Sequence, residues 1–208
     1  MKLRLACLAV FFLLLPTLAR GDTLDADPND PGRITSVRRG VWELDLVGLG
    51  VLTSDTENGV STTRLSTDFA ATVAYFLRKN VSVGASALAN HESVGGGVRA
   101  TTFGASANVV LHARLGLGAF FRPGIGVGAL FGSRRTPVGT GMLEEATQAG
   151  FITRVQLPIA YFASKRLLLQ AGPQLNVTVG GYTPSGGGEA RAFTRVAGGF
   201  SVGAGYTF

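Results

Sequence analysis

The chain has 208 residues, 30 of them glycine, with 15% charged residues, one cysteine, two histidines and a formal charge of +6. That length suits one domain, a lone cysteine excludes a disulfide framework, and the scarcity of Glu, Lys and Gln argues against exposed helices. Lys2, Arg4 and Arg20 all fall in the first 21 residues, so the remainder is only mildly basic and no nucleic-acid surface is expected.

Met1-Lys2-Leu3-Arg4 is a positive start, Leu5 to Leu15 an apolar run ending near Pro16, and small-residue cleavage sites follow at Thr17-Leu18-Ala19 or Ala19-Arg20-Gly21. The run is too short to cross a hydrocarbon layer of about 30 Å. Residues 1–21 are therefore expected to be a cleaved export signal, which would remove Cys7. Residues 22–39, with Asp-Pro-Asn-Asp-Pro-Gly at 27–32, suggest a flexible periplasmic leader.

From residue 40 to residue 208 the apolar side chains recur at every second position. The alternation predicts strands at about 40–52, 64–77, 80–91, 100–113, 119–131, 148–162, 166–179 and 192–208. One face of each is apolar and free of charge: Phe69 to Leu77 on the second, Val81 to Ala89 on the third, Phe103 to Leu111 on the fourth, Phe121 to Phe131 on the fifth, Phe151 to Tyr161 on the sixth, Leu167 to Val179 on the seventh. The alternate face is polar or very small. A soluble barrel would show the reverse, so the fold class expected is an all-β, eight-stranded antiparallel up-and-down transmembrane β-barrel. Longer connections are expected over 53–63, 92–99, 132–147 and 180–191, with short turns at the other end. In the first strand Trp42, Leu44 and Leu46 face out, but Val47, Leu49 and Val51 then fall on the polar side, which suggests a bulge at Gly48 or Gly50.

Aromatic residues gather where membrane interfaces are expected. Trp42, Tyr75, Phe121, Tyr161, Tyr206 and Phe208 mark the periplasmic girdle, and Phe69, Phe103, Phe131 and Phe151 the outer one. On the polar faces six charges stand in the lumen. Glu43, Asp45 and Arg122 lie near the periplasmic end, and Asp68, Arg154 and Arg195 nearer the outer half. Two layers of ion pairs are expected, Glu43 and Asp45 with Arg122, and Asp68 with Arg154 or Arg195, since an unpaired buried charge costs several kcal/mol. These pairs would plug a narrow lumen; the alternative use is a gate or selective pore.

Other chemistry finds little footing. His91 sits beside Glu92 and Ser93 at a strand end, His112 falls at a distant turn, and no G-x-S-x-G occurs. The glycines at 116–118 and 124–128 do not complete G-x-G-x-x-G, because Phe121 and Phe131 take the third glycine positions. No metal-ligand cluster or cofactor motif is present, and no enzyme is expected. Arg134-Arg135 could meet lipopolysaccharide phosphates, with Glu144-Glu145 as a local counterweight.

The Tyr75-Phe76-Leu77-Arg78-Lys79-Asn80-Val81 junction and the terminal Tyr206-Thr207-Phe208 make residues 40–208 resemble the small eight-stranded outer-membrane barrels of the OmpA/OmpX type. The resemblance implies a Gram-negative outer-membrane location and contact with membrane lipid and lipopolysaccharide. The last strand, through Phe200, Val202, Tyr206 and Phe208, is similar to the signal read by the barrel-assembly machinery. A structural or surface role in envelope integrity or adhesion is expected, with a small solute pore as the alternative and a lipid-modifying barrel enzyme as a third reading.

Overall fold

The computed structural model describes residues 24–27, 30–57, 60–93, 99–116, 118–138 and 142–208. The export signal read at 1–21 lies outside them. The described residues form β-strands and no helix: β1 Leu24–Asp27, β2 Asp30–Val37, β3 Trp42–Glu57, β4 Val60–Arg78, β5 Val81–Ser93, β6 Arg99–Leu111, β7 Ala113–Gly116, β8 Ala119–Phe121, β9 Gly124–Val138, β10 Met142–Gln156, β11 Ile159–Phe162, β12 Leu167–Pro184 and β13 Arg191–Thr207.

Eight crossings close into a ring. Three are interrupted: β6 and β7 part at His112, β8 and β9 at Arg122-Pro123, and β10 and β11 at Leu157-Pro158. Proline has no N–H to give a ladder. Its carbonyl still serves: the N–H of Leu111 donates to Pro123 O at 3.0 Å, and the N–H of Arg122 donates to Pro158 O at 2.8 Å. Antiparallel neighbours follow one another round the wall, β10 pairs with β12, and β13 pairs with β3 to close it. The seam is sealed by reciprocal backbone bonds of 2.9 Å between Trp42 and Phe208.

Following the register from Asp45 through Thr72, Ser86, Ser106, Gly128, Ile152, Thr178 and Arg195 returns to the first strand at Asp55, ten residues further on. Such a stagger requires strands tilted by roughly 40°. It also means that residues in register are not at one height. The alternation expected from the sequence is observed: outward side chains such as Phe103, Ile125, Phe151 and Leu169 are exposed, and their neighbours in the chain are covered.

Three features depart from expectation. The main strands run 13 to 19 residues, well beyond the roughly 9–11 that span a membrane, so ladder takes up much of the sequence assigned to longer loops. Thr- and Ser-rich stretches such as Thr53-Ser54-Asp55-Thr56 favour extended backbone once a neighbour is in place. The projecting ends mark the extracellular side; the compact turns, such as the one between Arg78 and Val81, mark the periplasmic side.

The expected bulge in the first strand is absent. The register of β3 is unbroken against both neighbours, so Leu49 and Val51 point into the lumen and pack with Ala197. Gly48 and Gly50 face outward instead, because a continuous ladder keeps its period of two whatever the residue type.

The leader is also different. β1 and β2 pair antiparallel, Leu24 opposite Val37 and Asp25 opposite Ser36, and Ile34 and Val37 are buried. A flexible segment would leave such side chains in water; here the periplasmic mouth supplies an apolar surface to cover them.

Candidate functional site

The lumen holds a buried constellation of charge. Its floor is Arg122, which has the inward parity of its strand and is 1% exposed. Arg122 Nη2 donates to Glu43 Oε1 and, at 3.2 Å, to Asp45 Oδ2; Nη1 donates to Gln170 Oε1 at 2.9 Å. Glu43 and Asp45 reach it because both occupy inward positions of β3. Gly205 on the neighbouring strand leaves room for Asp45, whose Oδ1 a Cβ there would displace. Two carboxylates on one guanidinium, all out of water, make removal of the arginine far more costly than removal of the whole cluster.

Above the floor lies a band of hydroxyls and amides. Thr72 Oγ1 and Ser86 Oγ are 2.6 Å apart, Asn108 Nδ2 donates to Ser86 Oγ at 2.6 Å, and a Cβ on Gly126 would strike Asn108 Oδ1. Ala70, Leu88 and Ile152 fill the adjacent space, with Leu130 against them.

The upper cluster is arranged differently from the expected Asp68 pair with Arg154 or Arg195. Asp68 is held by amides: Asn90 Nδ2 donates to Oδ1, and Asn176 Nδ2 donates to Oδ2 at 2.9 Å. Gln174 Nε2 donates to Asn176 Oδ1 at 3.0 Å and fixes that amide. Arg195 lies 3.1 Å from Glu92 Oε2, a buried carboxylate. Arg154 is buried and lines both small lumen cavities, of about 30 and 20 Å³, facing Asp68 across the first and Glu43 and Asp45 across the second. Each cavity has room for about one water.

Glu92 was missed as a lumen residue. It carries the same parity as Ser82, Gly84 and Ser86, so carrying the period-2 pattern of β5 to its true end at Ser93 would have found it. The same rule separates Arg134 from Arg135. Arg134 turns inward, is buried, and lies over the Tyr182 ring at 5.2 Å; Arg135 turns outward and pairs with Glu145 at 2.7 Å. Only Arg135 of that pair can meet lipid phosphates, because consecutive strand residues face opposite ways.

In the girdle, Trp42, Tyr161 and Tyr206 are exposed outward, Tyr75 and Phe121 half-buried, and Trp42 meets Tyr75 at 4.9 Å between ring centroids. Phe208 departs from this: it is 6% exposed, with its ring stacked on Tyr206. Its backbone is locked into the seam with Trp42, which holds the ring among neighbours rather than at the lipid surface. Phe200 and Val202 of the last strand are exposed on the lipid side.

His91 is exposed, with Nδ1 3.1 Å from Thr101 Oγ1; His112 is buried against Phe76, with Nε2 3.4 Å from Ser82 Oγ. They belong to opposite ends of β5 and β6, so no single nucleophile could use both. A recess of about 700 Å³ on the outer wall, where Ala85 and Ala107 lie between Val73 and Val127, is apolar and faces lipid.

No protein-family model matches the chain, and no curated protein sequence matches it. Solved structures do. Neisserial surface protein A is similar over 82% of this chain and 100% of its own, with a TM-score of 0.54 and 13% identity. Ail, the attachment invasion locus protein of Yersinia pestis, is similar over 82% of this chain and 99% of its own, with a TM-score of 0.51 and 11% identity. At these identities the likeness is one of fold: the chain has the architecture of the small bacterial outer-membrane barrels, as the resemblance in its sequence implied.

Proposed function

We propose that this chain is a structural and surface-interaction barrel of the bacterial outer membrane, non-catalytic and closed to solutes. The observation that carries the reading is Arg122, 1% exposed and clamped by Glu43, Asp45 and Gln170 across the lumen. Among the described residues the lumen cavities that Arg154 lines have room for about one water each, and eight strands leave an interior that side chains can fill. A solute pore would need a continuous hydrated path, and these residues occupy it. The test is conductance in planar bilayers. Protein shown to be inserted by its heat-modifiable mobility in SDS should leave the bilayer silent, and steady unitary currents would overturn the closed reading.

The outward rim favours a lipid partner. Thr101 and Ser133 are register partners two residues beyond the pair of Phe103 and Phe131, and Thr67, His91, Thr147 and Thr183 continue that row along the stagger of the wall. Arg99 and Arg135 are register partners two residues further out, on exposed positions. Hydroxyls topped by guanidinium groups suit the sugars and phosphates of lipopolysaccharide. The exposed Phe200, Val202 and Tyr206 are the contacts we assign to the assembly machinery.

A further inference from the structure

The N-terminal hairpin does more than shelter two apolar residues. Ile34, Val37 and Val41 form one buried cluster with Phe76 of β4, Phe120 of β8, Ala160 and Phe162 of β11, and Leu168 of β12. In ring order β4 and β11 lie on opposite walls, so the cluster spans the whole periplasmic mouth. On the β4 side the hairpin is tied by hydrogen bonds. The N–H of Val37 donates to Asn80 Oδ1 at 2.9 Å and the N–H of Asn80 donates to Val37 O at 3.1 Å, while the bonds of Phe76 with Gly40 and Val41 carry the β3–β4 ladder on toward the hairpin. Lys79 Nζ lies 3.4 Å from Asp25 Oδ2.

The seam of the barrel is the β3–β13 ladder. β4 stands beside β3 on one side of it, and β12 stands beside β13 on the other. The hairpin is therefore bonded to one side and packed against the other. Parting the seam would strip Leu168 and Phe162 from Ile34 and Val37 and expose all four to water. Conversely, an open sheet presents only half of the docking surface.

We propose that the β1–β2 hairpin is a strap that docks only on the completed ring and holds the barrel shut across its seam. The strap recognises a surface of this same chain, one that exists in the closed barrel alone. Its action is kinetic as well as energetic, because each strand of the seam must be released together with the strap.

The test follows refolding of the mature chain into phospholipid vesicles. Pulsed amide exchange over residues 30–41 is timed against the appearance of the SDS-resistant, fast-migrating form. Protection should arise with that form or after it; protection that precedes ring closure, or never develops, overturns the proposal. The double variant Ile34→Ala and Val37→Ala should convert to the slow-migrating form at a temperature lower by about 10 °C. An unchanged temperature also overturns it. If that variant fails to fold, the wild-type exchange course still decides.

Discussion

Val37 and Asn80 hold each other in both directions: the N–H of Val37 donates to Asn80 Oδ1 at 2.9 Å, and the N–H of Asn80 donates to the Val37 carbonyl at 3.1 Å. Asn80 can do this because it occupies the left-handed region, with φ at +61°, in the tight turn after β4. Asparagine tolerates that conformation better than other side chains. One residue thus makes the turn and anchors the hairpin.

Replacing Asn80 separates those two roles. Asn80→Gly keeps the turn and loses the side-chain bond, a cost of about 1 kcal/mol. Asn80→Ala loses the bond and strains the backbone, for about 2–3 kcal/mol together. The order of heat-modifiability should be wild type, then glycine, then alanine; alanine equal to glycine would show that the backbone angle is unimportant.

Arg122 gives a sharper contrast. Arg122→Ala leaves Glu43 and Asp45 buried without a cation, and should cost about 3–5 kcal/mol. The triple change Glu43→Gln, Asp45→Asn and Arg122→Met should recover most of that loss, since none of the three charges of the clamp remains to be desolvated. Thermal melts in detergent would compare the two; a triple variant no better than the single one would contradict the account.

Acid should loosen the strap before it opens the wall. The Ser36 hydroxyl and the Arg38 guanidinium, both 2.5 Å from Asp25, hold its carboxyl at about 2 instead of the ordinary 3.8. A folded-state value below the unfolded one stabilises the folded form above about pH 4, and that contribution is lost as pH falls through about 2. Amide exchange at residues 30–37 should therefore quicken between those limits, and the Asp25→Asn variant should lack this step.

The rim arginines should matter for glycolipid and not for folding. Arg99→Ala with Arg135→Ala should weaken binding of a phosphorylated glycolipid titrated into the barrel in zwitterionic detergent by about tenfold. Added salt should reduce the wild-type affinity toward that of the variant. Equal affinities at low salt would remove these residues from the interface.

Alternation alone separates the two faces of nearly every strand. It places Phe103, Ile125 and Leu169 toward lipid and Glu43, Asp45 and Arg122 toward the lumen, since in an extended chain the side a residue faces depends only on its parity. The architecture follows, because an apolar outer face with a polar inner one has no stable arrangement in water and a closed one in a membrane.

Partners are another matter. Asp68 meets Asn90 through the local register of β4 and β5, but that it meets Asn176 while Arg195 meets Glu92 depends on the ten-residue stagger round the ring, which sets height and is not written in any one strand. The inward course of Leu49 and Val51 depends on an unbroken ladder against β4 and β13, which overrode the local cue of two glycines. The leader reads as irregular because its apolar residues are few; Ile34 and Val37 gain a place to be buried only when Phe76, Phe120, Phe162 and Leu168 converge from separate strands. Parity is a property of the chain, whereas height, contact and closure belong to the ring.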